Sequence, residues 1–246
     1  MAVSAPNDTS ASDRLPRWGL GDAAVGWALA YVVASVAFVL IAGGLGYTNA
    51  QINADALPLW VIALSYPPLW LGFVGVPLWA ARAKGSGIVA DFRARFEWVD
   101  IPIGLVAGAV AQYVLVPLVS LPVLLLTGKT RADLGKPAHD LAAKAHGGWG
   151  IALFVVIVVI GAPLAEELFF RGLVLRAIEK RFTIGWAVAG SAVIFGATHF
   201  EALQFVALAA AGLVFAALVV RTDRLGPAIV AHMTFNGIAV AGLVHR

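Results

Sequence analysis

The stretch WGIALFVVIVVIGAPLAEELFF, residues 149–170, decides the fold. From Trp149 to Ala165 it carries no charge. The hydrocarbon core of a bilayer needs about 20 mostly apolar residues in a helix. A run this long satisfies its backbone in lipid only as a helix. Similar runs lie on both sides: Ala23–Leu45, Leu57–Ala81 and Ile101–Leu126 before it, Ile184–Phe200, Ala202–Val220 and Gly226–Val244 after it. The expectation is an all-α, polytopic transmembrane helical bundle of about seven spans with short interfacial helices. Residues 1–22, polar and rich in Ser, Ala, Asp and Pro, read as a disordered tail. Residues 23–246 read as a single transmembrane domain, with no internal repeat.

Composition agrees. Of 246 residues, 61% are hydrophobic and 13% charged, with a mean hydropathy of +0.88. Soluble domains carry about 25% charged residues, and a soluble chain of this size has no interior for so much apolar surface. The net charge is +3. Its basic residues fall in short clusters between apolar runs, which marks topology and argues against a nucleic-acid partner. There is no cysteine, which excludes disulfides, thiolate catalysis and Cys-based zinc sites. The first apolar run is too long for a signal-peptide core and lacks an A-x-A-like exit, so it reads as a retained anchor. Pro58, Pro67, Pro68 and Pro77 predict a kinked second span. Gly87–Trp98 suits a short interfacial helix or a solvated loop. Arg14, Arg17, Arg82, Lys84, Arg93, Arg95, Arg171, Arg176, Lys180, Arg181, Arg221 and Arg224 fall on one side of this topology. Lys129, Arg131, Lys136, Lys144 and Arg246 fall on the other. The bias predicts a cytoplasmic N-terminus.

The polar residues inside the apolar runs need a separate explanation, because an ionisable group at mid-bilayer costs roughly 2.5–3.5 kcal/mol on insertion scales. Glu167 and Arg171 are four apart and can neutralise each other on one helix face. Glu166, rotated about 100° away, lacks that partner and is free to face a cavity. A carboxylate kept from water is a stronger base, suited to general-base work; the alternative is a helix end snorkelling its charges to the interface. Phe195 and His199 share a face, so the ring can wall the imidazole. Glu166 and His199 are equidistant from the turn at Phe182–Thr183, which predicts matching depth in an antiparallel hairpin. His232 and Asn236, again four apart, can donate two hydrogen bonds toward one point, as an oxyanion hole requires; alternatively they bond neighbouring helices together. A carboxylate, a histidine and a donor pair on three apolar helices are an inventory for adding water to a carbonyl.

With these residues in view, the chain resembles the CAAX-protease and bacteriocin-processing family of membrane proteases, CPBP or Abi. The family's ordered pattern is Glu-Glu-x-x-x-Arg, Phe-x-x-x-His and His-x-x-x-Asn. It is met here by Glu166-Glu167-Leu-Phe-Phe-Arg171, Phe195-Gly-Ala-Thr-His199 and His232-Met-Thr-Phe-Asn236. The resemblance covers about 149–246, which would be the catalytic core, and more faintly Gly87–Gly104. It implies an intramembrane endopeptidase acting on membrane-associated, sometimes lipidated, peptides or proteins in a membrane-lipid setting. Glu166 and His199 would activate water, His232 and Asn236 would hold the oxyanion, and Glu167, Arg171 and Phe195 would support them. The Ala, Gly and Val bias suggests a bacterial plasma membrane.

The reading adopted needs no metal or other cofactor. The alternative is zinc, held by Glu166, His199 and His232. Zinc-binding histidines commonly have carboxylate or carbonyl partners; the sequence neighbours Ile194, Ala197, Ala231 and Met233 offer none locally, which leaves a distant helix as the source. Two other intramembrane protease signatures are missing, His-Glu-x-x-His and Gly-x-Ser-Gly. A non-enzymatic immunity or scaffold protein is a further alternative. A transporter would show repeats and matched broken helices, and neither is seen.

Overall fold

The computed structural model describes residues 16–53 and 56–244, where every regular element is helical. Residues 1–15 of the expected tail lie outside the described residues. By Leu20 the chain is already in α1 (Leu20–Gly44). Six helical stretches are long and apolar enough to cross a membrane: Leu20–Gly44, Leu59–Lys84, Asp100–Thr127, Gly147–Glu179, Phe205–Thr222 and Gly226–Leu243. Their outward surfaces are apolar, as at Val25, Leu29, Val32, Val36 and Leu40 of α1. An exterior of this kind has lipid as its solvent, so the protein is an integral membrane protein.

Prolines shape the second span as expected. α3 (Leu59–Ala63) stops short of Pro67–Pro68, and α4 (Tyr66–Lys84) takes those residues into its first turn, where the missing N–H groups cost nothing. Small residues then let helices close up, as membrane packing requires. A Cβ on Gly72 would lie 2.4 Å from the Ala30 Cβ, which seals α1 against α4. In α6 (Asp100–Val110), Gly104 and Gly108 press on Val230 and Ala231 of α14 (Gly226–Val244) in the same way.

The Gly87–Trp98 segment combines the two expected forms, a short helix and then a loop. α5 (Ile88–Phe92) ends at Arg93, whose φ of 55° is left-handed. The chain then runs on to accept two bonds, Leu225 N–H to Arg93 O at 2.9 Å and Gly226 N–H to Arg95 O at 3.1 Å. The 127–148 loop instead holds a helix, α8 (Arg131–Ala142), between α7 (Val116–Thr127) and α9 (Gly147–Val155). Thr130 accepts from Asp133 N–H at 3.3 Å and Asp133 accepts from Thr130 N–H at 2.8 Å. This capping box satisfies two otherwise orphaned donors.

The seven expected spans become six and a half. α12 (Ile184–Ala197) has 14 residues and is about 21 Å long, short of the roughly 30 Å hydrocarbon core. Both ends of the hairpin formed by α12 and α13 (Phe205–Thr222) lie at one end of the bundle. There Arg17 N–H bonds Lys84 O, Lys180 Nζ bonds Pro16 and Trp18 carbonyls, Arg93 pairs with Asp223, and Arg224 with Asp100 at 2.7 Å. α14 therefore still leaves from that end toward the other. Arg171, counted with the basic side from sequence, belongs instead to the core, fully buried.

Candidate active site

Both glutamates lie on α10 (Ala162–Glu167), six residues between two wide π-helical turns, Val156–Gly161 and Leu168–Val174. Pro163 explains the first. In a regular α-helix its ring would meet the carbonyl four residues back, and widening the turn relieves that contact. In the wide register Ala162 N–H bonds Ile157 O. The next donor would be Pro163, which has none, so the helix offers nothing to the Val158 carbonyl. Asn236 Nδ2 of α14 reaches across at 2.8 Å to donate to it. One of the two N–H bonds of Asn236 is thereby used, and the other is left for a further acceptor.

Glu167 is 0% exposed and joins two partners on one oxygen. Arg171 Nη1 donates at 2.9 Å and His232 Nδ1 lies at 2.8 Å. The guanidinium also donates from Nη2 to Gly212 O at 3.2 Å, and sits 4.3 Å from the Phe195 ring centre and 5.3 Å from that of Phe215. A buried cation thus has a carboxylate, a carbonyl and two ring faces. Phe215 stacks on the His232 ring at 4.8 Å. Phe195 stands edge-on between two imidazoles, 4.9 Å from His199 and 5.5 Å from His232.

His199 lies just past the end of α12, in a turn fixed by Tyr31 Oη, which donates to Thr198 O at 2.7 Å. His199 Nδ1 is 2.8 Å from Phe195 O. A carbonyl only accepts, so Nδ1 carries the proton and Nε2 of the neutral ring is the free acceptor. Glu167 likewise fixes a proton on His232 Nδ1, leaving Nε2 facing the Glu166 carboxylate at 3.9 Å. That gap is too long for a hydrogen bond and suited to a bridging water. Glu166, His199, His232, Asn236 and Phe195 all line one cavity of about 720 Å³. Glu167 and Arg171 stand behind it.

The cavity has walls that the sequence reading did not single out. Tyr66 of α4, Gln112 between α6 and α7, Gln204 and the apolar side of α8 around Leu134 and Leu141 also line it. Gln204 Nε2 donates to Leu134 O at 2.7 Å, tying α8 across the mouth. Gln112 carried a readable signal, a carboxamide in an apolar span. Tyr66 carried none.

The donor types fit zinc in part. Both imidazoles have Nδ1 held by an acceptor and Nε2 left for the cavity, as metal-binding histidines do. The acceptors are Glu167, from a distant helix, and the Phe195 carbonyl. However, no three His, Asp or Glu side chains among the described residues gather as a ligand set. A catalytic zinc takes three protein ligands, which here would be Glu166, His199 and His232, all on the cavity.

Residues 148–238 match the family model described as type II CAAX prenyl endopeptidase Rce1-like. Over 90 residues the chain is 31% identical to "Putative membrane peptidase YdiL" of Bacillus subtilis (strain 168), a stretch that is 37% of this chain and 37% of that protein. The match thus spans little more than a third of that relative. All three motifs fall inside residues 148–238, the segment that is similar to this family model. No solved structure matches significantly.

Proposed function

We propose that the protein is a CAAX-protease-like intramembrane endopeptidase that hydrolyses peptide bonds of membrane-associated or lipidated substrates without a metal. The observation that carries this reading is the convergence of Glu166, His199, His232 and Asn236, from three helices, on one cavity. Water bound between Glu166 and His199 Nε2 gives a proton to Glu166 as its oxygen attacks the scissile carbonyl. The oxyanion takes hydrogen bonds from the free N–H of Asn236 and from His232, which in this role carries protons on both ring nitrogens. Glu166 then passes its proton to the departing amine as the C–N bond breaks. Glu167 and Arg171 act by holding His232.

The test is reconstitution in lipid with a quenched peptide library, wild type against Glu166→Ala. Cleavage by the wild type should fall to background in the variant, and persisting cleavage would mean that the base is another group. Elemental analysis of active protein decides the second reading, a zinc enzyme. The two free Nε2 atoms favour that reading. Stoichiometric zinc, with activity lost to a chelator and restored by zinc, would replace the metal-free scheme. The protein is placed in a bacterial plasma membrane with its basic end, and hence its N-terminus, in the cytoplasm. Reporter fusions at Met1 and after Gly46 check this, and an external signal from the first would reverse it.

A further inference from the structure

Gln112 lies in the wide turn Ala111–Leu115, within the third span and outside the segment that matches the family model. In this turn Val116 N–H bonds Ala111 O. The next donor in register would be Pro117, so the helical ladder offers nothing to the Gln112 carbonyl. The side chain repeats the deficit: Oε1 of Gln112 is buried and, among the described residues, has no hydrogen-bond partner. Gln112 and Val116, one turn apart, both line the cavity of Glu166, His199 and His232.

A buried acceptor without a donor is costly, and native structures rarely keep one without a use. Gln112, a residue on this cavity whose side-chain acceptor has no donor and whose carbonyl the ladder leaves open, forms a site for donors brought by a ligand. A peptide has them, since each residue other than proline offers a backbone N–H. The last torsion of a glutamine is soft, so Oε1 can turn to meet one. We propose that Gln112 binds substrate by accepting the backbone N–H of an extended peptide segment beside the scissile bond. The ligand class is then the main chain itself, and the contact is indifferent to side-chain identity. This rests on the peptidase reading above, and assigns to the unmatched half of the chain the alignment of the peptide before Glu166 and His199.

The experiment uses the full chain in lipid, a quenched peptide that the wild type cleaves, and a depsipeptide series replacing each amide except the scissile one, in turn, by an ester. In the wild type one ester position should raise KM about tenfold, the scale of a lost hydrogen bond, with kcat within about twofold. In Gln112→Leu the all-amide peptide should already show the raised KM, and that ester should add nothing. Pro117→Ala, which returns a donor to the Gln112 carbonyl, should raise KM in the same direction and serves if Gln112→Leu does not fold. A wild type indifferent to every ester would overturn the proposal. So would a Gln112→Leu protein that discriminates amide from ester as the wild type does. If the wild type cleaves nothing, the peptidase reading fails. The same peptides are then compared for binding to the Glu166→Gln protein by fluorescence anisotropy, where equal affinity for amide and ester would overturn the role of Gln112 separately.

Discussion

The wide turns at Ala111–Leu115 and Val156–Gly161 are each followed, two residues on, by a proline, Pro117 or Pro163. Each proline withholds a donor from one carbonyl of its turn. At the second turn the fold supplies a substitute, because Asn236 bonds Val158 O from another helix. At the first turn no side chain among the described residues takes that role, and a second acceptor, Gln112 Oε1, stands among them without a partner. The same local device thus has two uses. One turn binds helix to helix and sets the position of α10. The other leaves hydrogen-bonding capacity on the cavity wall.

The sharpest way to break this comparison is to load each turn with a substitution and weigh the damage. The largest effect is expected beside the second turn. Glu167→Ala strips the acceptor from Arg171 and His232 together, and removing one partner of a buried pair costs about 3–5 kcal/mol. Unfolding in mild detergent should register that loss, with turnover per folded protein reduced less than in Glu166→Ala. Next comes Asn236→Leu. It leaves the Val158 carbonyl unpaired, a loss of about 1–3 kcal/mol, and removes an oxyanion donor, which typically slows turnover about 10²- to 10³-fold. Adding Pro163→Ala returns an N–H to the turn and should recover part of the stability but none of the turnover; recovery of both would make Asn236 purely structural. The smallest effect belongs to the first turn. Gln112→Leu removes an acceptor that nothing satisfies, so it should leave the unfolding midpoint unchanged or slightly raised. A clear loss of stability there would erase the difference between the turns.

Much of this could be read from sequence where the signal was a violation of apolarity. Glu166, Glu167, His199, His232 and Asn236 stood out because lipid-embedded helices do not carry such groups idly. The four-residue spacings placed Glu167 beside Arg171 and Phe195 beside His199. What stayed hidden depended on contacts between distant segments. No local pattern tells that Glu167 holds His232, because 65 residues separate them. Apolarity also masks length, which is how α12 passed for a full span while Phe200, at a φ of 56°, had already left the helix. Two signals were present and underweighted. Thr130-Arg-Ala-Asp133 is a helix start, but the basic residues around it were weighed only as topology. Gln112 is as anomalous in its span as Asn236 is in its own, yet it has no spaced partner to call attention to it.

The half-length of α12 also works as a ruler. The turn bearing His199 hangs about 21 Å from the basic end. In a hydrocarbon layer of about 30 Å, roughly 9 Å remains to the opposite surface, and α8 lines the cavity from another side. At about 3.3 Å per extended residue, some three residues bridge that distance. On the peptidase reading proposed above, a substrate entering past α8 would thread only a very short end to meet Glu166, and one arriving from the basic end would have to thread about twice as much of itself.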